Sequence, residues 1–158
     1  MTAWQEALFG VLKASGVKLV SYVPDAGHAH LIARAHQAES MRAVALTTEE
    51  EGLAFACGAA LGGTRAVLLM QSSGVGNCIN MFSLLSSGRF PFLTLVTMRG
   101  EWGEFNPWQV PMSKATQTVM EAMGLSVYRV DQADAVVETV EAAARFACES
   151  DQAVAVLL

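Results

Sequence analysis

Only ten of the 158 residues are Lys or Arg, and they are scattered singly. A nucleic-acid partner calls for a basic patch or stripe, and a chain of net charge −5 without one has no such partner. Long apolar runs are missing too: none reaches the roughly 18 residues of a membrane span. The opening MTAWQEALFG carries no basic segment ahead of an apolar stretch, so the expectation is a cytoplasmic protein. Cysteine is sparse. Cys57, Cys78 and Cys148 form no CxxC and no Cys/His ligand spacing, and His28, His30 and His36 lack a fourth ligand nearby. Reduced thiols and no protein-held metal are the reading. Neither G-x-x-x-x-G-K-[ST] nor G-x-G-x-x-G occurs, which removes the common nucleotide-cradle sequences. Charged residues are 16% of the chain and hydrophobic ones 53%, a surplus of apolar surface that suits an oligomer.

What is present alternates regularly. Helical spacing of Trp4, Ala7, Leu8, Val11 and Leu12 predicts a first helix that Ser15-Gly16 ends, and a β-rich run Val17 to Val23 stops at Pro24-Asp25-Ala26-Gly27. Next come a helix His28 to Gln37, a strand Arg42 to Leu46, a small-residue helix Glu50 to Leu61 and a strand Arg65 to Met70. A glycine turn Gln71 to Gly76, a helix Asn77 to Ser86, a strand Pro91 to Thr97 and a loop Met98 to Pro111 follow. The last third reads as a helix Lys114 to Met123, a strand Ser126 to Val130, a helix Ala133 to Ala147 and a strand Ala153 to Leu158. Six strands alternating with helices predict an α/β single domain over residues 1–158: a three-layer sandwich with a six-stranded parallel sheet and helices on both faces. Ligands in such sheets sit beyond the carboxyl ends of the strands. That rule selects the loops Pro24 to His30, Thr47 to Glu51, Gln71 to Asn80 and Met98 to Pro111.

Two of those loops carry unusual chemistry. In TEEEGLAFACGAALGG an acidic triplet opens a helix that is otherwise small and apolar, and such a helix suits close approach by a backbone or ligand. The triplet equally serves a helix N-terminus, where negative charge offsets the dipole. Gln71-Ser72-Ser73-Gly74-Val75-Gly76-Asn77 leads from a buried strand into a helix and offers backbone donors there. Tight turning accounts for its glycines but leaves Ser72, Ser73, Asn77 and Asn80 without a task.

The pair TEEEGLAFACGAALGG and QSSGVGNCIN, one strand apart and followed by PFLTLVTMRG and RGEWGEFNPWQVPMSKAT, resembles the pyrimidine-binding domain of thiamine diphosphate-dependent decarboxylases. The likeness spans the whole chain and is strongest to sulfopyruvate decarboxylase alpha subunits and the matching half of phosphonopyruvate decarboxylases. It implies the thiamine diphosphate-binding fold, with Glu50 as the cofactor-contacting glutamate and Phe55 at the aromatic position. Ser73, Gly74, Val75, Gly76, Asn77 and Asn80 would line the cofactor. A carboxyl group hydrogen-bonded to the aminopyrimidine supports the proton shift that lets the exocyclic nitrogen deprotonate thiazolium C2, and the thiazolium is the electron sink for loss of carbon dioxide. Burial among alanines is expected to keep Glu50 in its useful form.

In that family another domain holds the diphosphate and Mg2+ through a Gly-Asp-Gly motif, which this chain lacks. The resemblance therefore implies a hetero-oligomer with two-fold pairing, in which a diphosphate-binding beta subunit carries the motif. Candidate substrate contacts are Gly27, His28 and Arg99, with Arg99 for a sulfonate or phosphonate and His28 and His30 as candidates for proton transfer. An ion pair from Arg99 to Glu101 or Glu104 is the structural alternative. Met98 stands where the family often has histidine, which leaves room for another 2-oxo acid, including an aromatic one beside Trp102, Phe105 and Trp108. A carboligase subunit like that of acetohydroxyacid synthase and a non-catalytic assembly subunit are the remaining readings.

Overall fold

The computed structural model describes residues 3–158. Strands β1 (Val17–Tyr22), β2 (Arg42–Ala45), β3 (Arg65–Gln71), β4 (Phe92–Thr97), β5 (Ser126–Arg129) and β6 (Ala153–Leu157) form one sheet, all neighbours parallel, in the order β2-β1-β3-β4-β6-β5. The central strands are apolar without alternation because both faces are covered. Val67 and Leu69 point to one face, beneath α1 (Ala3–Ala14), α2 (Ala29–Gln37) and α6 (Val136–Ser150). Leu68 and Met70 point to the other, beneath α3 (Glu49–Leu61), α4 (Ser72–Gly88) and α5 (Val110–Ala122).

The chain leaves β1 toward one edge and returns past it to β3, so the strand order reverses between β1 and β3, where the carboxyl ends open a crevice. The architecture matches the expected three-layer α/β sandwich. Three expected boundaries do not hold. The turn expected at Gln71 to Gly76 is helix from Ser72 onward. Its glycines are there for close approach, since a Cβ at Gly74 or Gly76 would meet the side chain of Glu49 or Met112. Helix α5 begins at Val110, before Pro111, because proline is tolerated in a first helical turn. A 3₁₀ turn Pro107–Gln109 leads into it. The last helix starts at Val136 rather than Ala133. Among the described residues no helix is long and apolar enough to cross a membrane.

Candidate functional site

Helical periodicity sorts the acidic triplet into three different roles. Positions 49, 52, 53, 56 and 57 share the inner stripe of α3, and Glu49 is buried with Gly52, Leu53, Ala56 and Cys57. Glu50 falls on the outer ridge with Ala54, Gly58 and Leu61, all exposed. It lines an open groove of about 410 Å³ with Thr47, Thr48, Glu51, Ala54 and Met81. Glu51 turns back to the helix start, where its Oε2 accepts the Thr47 N–H at 2.8 Å. That is a capping contact of the kind an acid in the first turn provides.

The expected burial of Glu50 among alanines is therefore corrected. The buried carboxylate is Glu49, one residue earlier and 100° around the helix. Its side chain lies across the start of α4, where an ideal Cβ on Gly74 would sit only 2.3 Å from Oε1 and 2.4 Å from Cδ. Asn77 Nδ2 donates to Oε2 at 2.9 Å. Oε1 has no hydrogen bond within the chain among the described residues. Beneath this pair the Cys78 thiol is pushed up to about 12, chiefly by burial and then by the charges of Glu49 and Glu50. Among the described residues the buried side-chain atoms without hydrogen-bond partners are the hydroxyl of Thr48, at the N-cap of α3, the amide oxygen of Gln71, at the N-cap of α4, and the amide oxygen of Gln109.

The other residues expected in the cofactor contact divide between these helices. Ser73 is half-buried, Gly74 and Val75 are buried, and Gly76, Asn77 and Asn80 are exposed along α4. Phe55 is half-buried on α3 and belongs to neither core cluster.

Gly27 and His28 lie on the opposite face of the sheet. They line a cavity of about 390 Å³ with Trp4, Leu8, Leu31 and Thr97. The structure thus does not bring His28 together with Glu49. His28 is also 3% exposed, and its Nε2 lies 3.2 Å from the Met70 carbonyl and 3.0 Å from the Leu95 carbonyl. A carbonyl only accepts, so Nε2 is protonated and donates. Burial lowers the pKa of the ring below its usual value, against smaller opposing effects of Asp25 and the two carbonyls. The imidazole bridges the ends of β3 and β4 through Nε2. Gly27 is small because a Cβ would meet Thr97 Cγ2 at 2.5 Å, while Asp25 Oδ2 accepts from the Gly27 N–H and the Thr97 hydroxyl.

Arg99 makes the ion pair that was its alternative reading. Its Nε and Nη2 reach the two oxygens of Glu104 at 3.1 and 2.9 Å. The same carboxylate accepts the backbone N–H groups of Gly100 and Asn106. The Arg99 hydrogen bonds, followed by those from Asn106 and Gly100, hold the Glu104 carboxyl down to about 2. This knot fixes a loop that projects Trp102, Phe105 and Trp108, each at least 71% exposed. Arg99 Nη1 keeps its donors free of the pair. Sequence reasoning gave Glu49 only to the helix dipole, offered Glu104 beside Glu101 as a partner of Arg99, and missed the Asp25–Thr97 contact. The burial of Glu49 had a signal, the i, i+3, i+4, i+7 stripe it shares with Gly52, Leu53 and Ala56. Among the described residues no group of three or more His, Cys, Asp or Glu stands together as a metal site.

A thiamine-type cofactor fits this arrangement, because the Glu49 carboxylate keeps one oxygen without a hydrogen bond among the described residues, and the start of α4 beside it carries no side-chain bulk at Gly74. Comparison with known proteins gives the same direction. Residues 2–123 match the family described as thiamine pyrophosphate enzyme, N-terminal TPP binding domain. Sulfopyruvate decarboxylase subunit alpha of Methanococcus maripaludis is 30% identical over 97% of this chain and 92% of its own length. The subunit of the same name from Methanothermobacter thermautotrophicus is 32% identical over 97% and 93%. Phosphonopyruvate decarboxylase of Streptomyces viridochromogenes is 38% identical over 59% of this chain and 24% of its own length. Two solved structures share the fold at low identity. A 2-oxoglutarate:ferredoxin oxidoreductase from Magnetococcus marinus has a TM-score of 0.78 at 16% identity, covering 99% of this chain and 28% of that one. A thiamine diphosphate-dependent 4-hydroxybenzoylformate decarboxylase from Rhodococcus jostii has a TM-score of 0.74 at 17%, covering 99% and 30%. The chain belongs to the thiamine pyrophosphate enzyme family and has the fold of its N-terminal, cofactor-binding domain.

Proposed function

We propose that this chain is the alpha-type subunit of a thiamine diphosphate-dependent 2-oxo acid decarboxylase, with sulfopyruvate as substrate and carbon dioxide and sulfoacetaldehyde as products. The observation that carries this reading is the Glu49 carboxylate, fixed between α3 and α4 with one oxygen unengaged. The relatives named sulfopyruvate decarboxylase subunit alpha support the substrate and the subunit role, because this chain spans more than nine-tenths of their length. When bound, thiamine diphosphate supplies the electron sink for carbon–carbon cleavage.

This chain's part is proton placement and desolvation. Glu49 Oε1 holds or releases a proton at the aminopyrimidine ring nitrogen, and the apolar side chains around it keep water from competing. Ser73, Gly74 and Asn80 shape the adjoining wall. The free donors of Arg99 are the cation we assign to the sulfonate. Mg2+ and the diphosphate are assigned to a beta subunit with a Gly-Asp-Gly motif, a sequence this chain does not contain. A cytoplasmic hetero-oligomer with two-fold pairing completes the reading.

Glu50 keeps a second reading. It lines the groove beside Thr48, and a partner subunit covering that groove would bury it. Glu49→Gln and Glu50→Gln separate the two. In the complex of both subunits, the correct variant loses decarboxylation and exchange of the cofactor C2 proton by about a hundredfold or more, while the other stays near wild type. If neither variant slows exchange, the thiamine assignment fails. Aldehyde as the only product excludes a carboligase, and turnover of phosphonopyruvate in preference to sulfopyruvate overturns the substrate. Calorimetry on the isolated chain with cofactor and Mg2+ should show weak binding, and submicromolar affinity would remove the need for a second subunit.

A further inference from the structure

We propose that Asn77 is a positioning residue that sets the direction of the Glu49 carboxyl group and serves it in both protonation states; this rests on the reading of Glu49 above. Three features converge. Gly74 and Asn77 are three residues apart on α4 and so share the face turned toward α3. The missing Cβ at Gly74 lets the carboxyl group lie against the helix, and Asn77 Nδ2 holds Oε2 at 2.9 Å. Oε1 is thereby the oxygen left for a ligand.

The residue type suits a group that gains and loses a proton. Toward a carboxylate the amide donates from Nδ2, and after a half-turn about χ2 its Oδ1 accepts from a carboxyl O–H. Lysine or arginine would pin the carboxylate as an ion pair, and aspartate would repel it. No Lys or Arg occurs in α3 or α4, so the neutral amide holds this carboxylate without a formal countercharge from either helix. Asn77 is exposed, so its replacement leaves the core intact.

The test compares Asn77→Ala, Asn77→Asp and Glu49→Gln in the assembled two-subunit enzyme. Asn77→Ala should lower kcat and C2-proton exchange by about tenfold to a hundredfold, as misplacement of a catalytic group does. KM and the cofactor Kd should stay within about twofold. Asn77→Asp, nearly the same shape but unable to donate when ionised, should be slower than Asn77→Ala and recover as the pH is lowered. A structural role would leave that order and that pH response unmoved. In the assembled enzyme with this chain 15N-labelled and no cofactor bound, the Asn77 side-chain amide resonances should shift in Glu49→Ala, which removes the Oε2 acceptor. Wild-type exchange in Asn77→Ala alongside a dead Glu49→Gln overturns the positioning role alone, whereas wild-type exchange in Glu49→Gln overturns the reading of Glu49. Failure of Asn77→Ala to assemble makes Asn77 an interface contact and also overturns the proposal.

Discussion

Replacing Gly74 with alanine sets stability against activity. The added Cβ would stand 2.3 Å from Glu49 Oε1 and 2.5 Å from Cγ, against roughly 3.4 Å for ordinary contact. The atoms it meets belong to a flexible side chain, so the carboxyl group moves by about 1 Å and the backbone stays in place. Alanine favours helix over glycine by about 0.5–1 kcal/mol, so the melting temperature should hold or rise. A displacement of that size at a catalytic group costs about a hundredfold in rate, equivalent to about 2.7 kcal/mol of barrier. The assay is decarboxylation and C2-proton exchange by the assembled enzyme, with calorimetric melting of the same sample. Gly10→Ala is the control, since its Cβ would meet nothing within 4 Å and gives the propensity gain alone. Wild-type turnover by Gly74→Ala would show that the Glu49 carboxyl group is not where catalysis needs it. A steep loss of stability with normal turnover would reduce Gly74 to a packing position.

Gly52→Ala should act oppositely, because its Cβ would meet Leu68 Cδ1 at 2.5 Å and Leu46 Cδ1 at 2.8 Å against the sheet. Overpacking there should cost about 1–3 kcal/mol, read as a lower urea midpoint. The depressed Glu104 carboxyl stabilises its loop above its ordinary value of 4.5 and loses that contribution as pH falls from there toward about 2. Glu104→Gln should flatten this acid response in the fluorescence of Trp102 and Trp108. His28 also has a lowered folded value, so its contribution is present above 6.5 and is lost as pH falls below it, where the unfolded ring takes a proton the native ring refuses. His28→Gln should flatten the stability profile below 6.5, and an unchanged profile would mean that the ring is not sealed.

The sheet was readable because its signals are local and redundant. VLLM and FLTLVT are too apolar for anything but strands covered on both faces, and glycine or polar residues punctuate each connection. The α4 boundary was not readable, because Gly74 and Gly76 resemble a turn in sequence. Only the presence of Glu49 and Met112 across the gap explains why glycines stand inside a helix. The register of the triplet was within reach, since period 3.6 places residue 49 with Gly52, Leu53 and Ala56 and residue 50 with Ala54, Gly58 and Leu61. The same phase puts Ala56 in the core, in one buried cluster with Leu53 and Phe82. Arg99 is different in kind. Sequence offered Glu101 and Glu104 equally, and only the fold of the loop around Gly100 selects Glu104. Gly100 has φ +83°, and a Cβ there would meet the Gln109 carbonyl at 2.5 Å.

The division of α3 into two faces bears on why such a site would be split between subunits. Its inner stripe seats Glu49 against α4, while its outer ridge runs from Glu50 through Ala54 and Gly58 to Leu61, which is 79% exposed. Helix α4 adds seventeen residues without a formal charge, among them exposed Asn77, Asn80, Ser83 and Leu84. Two adjacent helices with no cation, small side chains and one exposed leucine each form the surface that the proposed reading gives to the partner subunit. The carboxylate that the proposed reaction needs lies at the rim of that surface. In the proposed complex, closing the surface would exclude water from Glu49 and bring the ligand to Oε1 in the same step, so assembly and desolvation would be one event. Under the proposed function, the partner that carries the rest of the cofactor site would also be the lid that closes it.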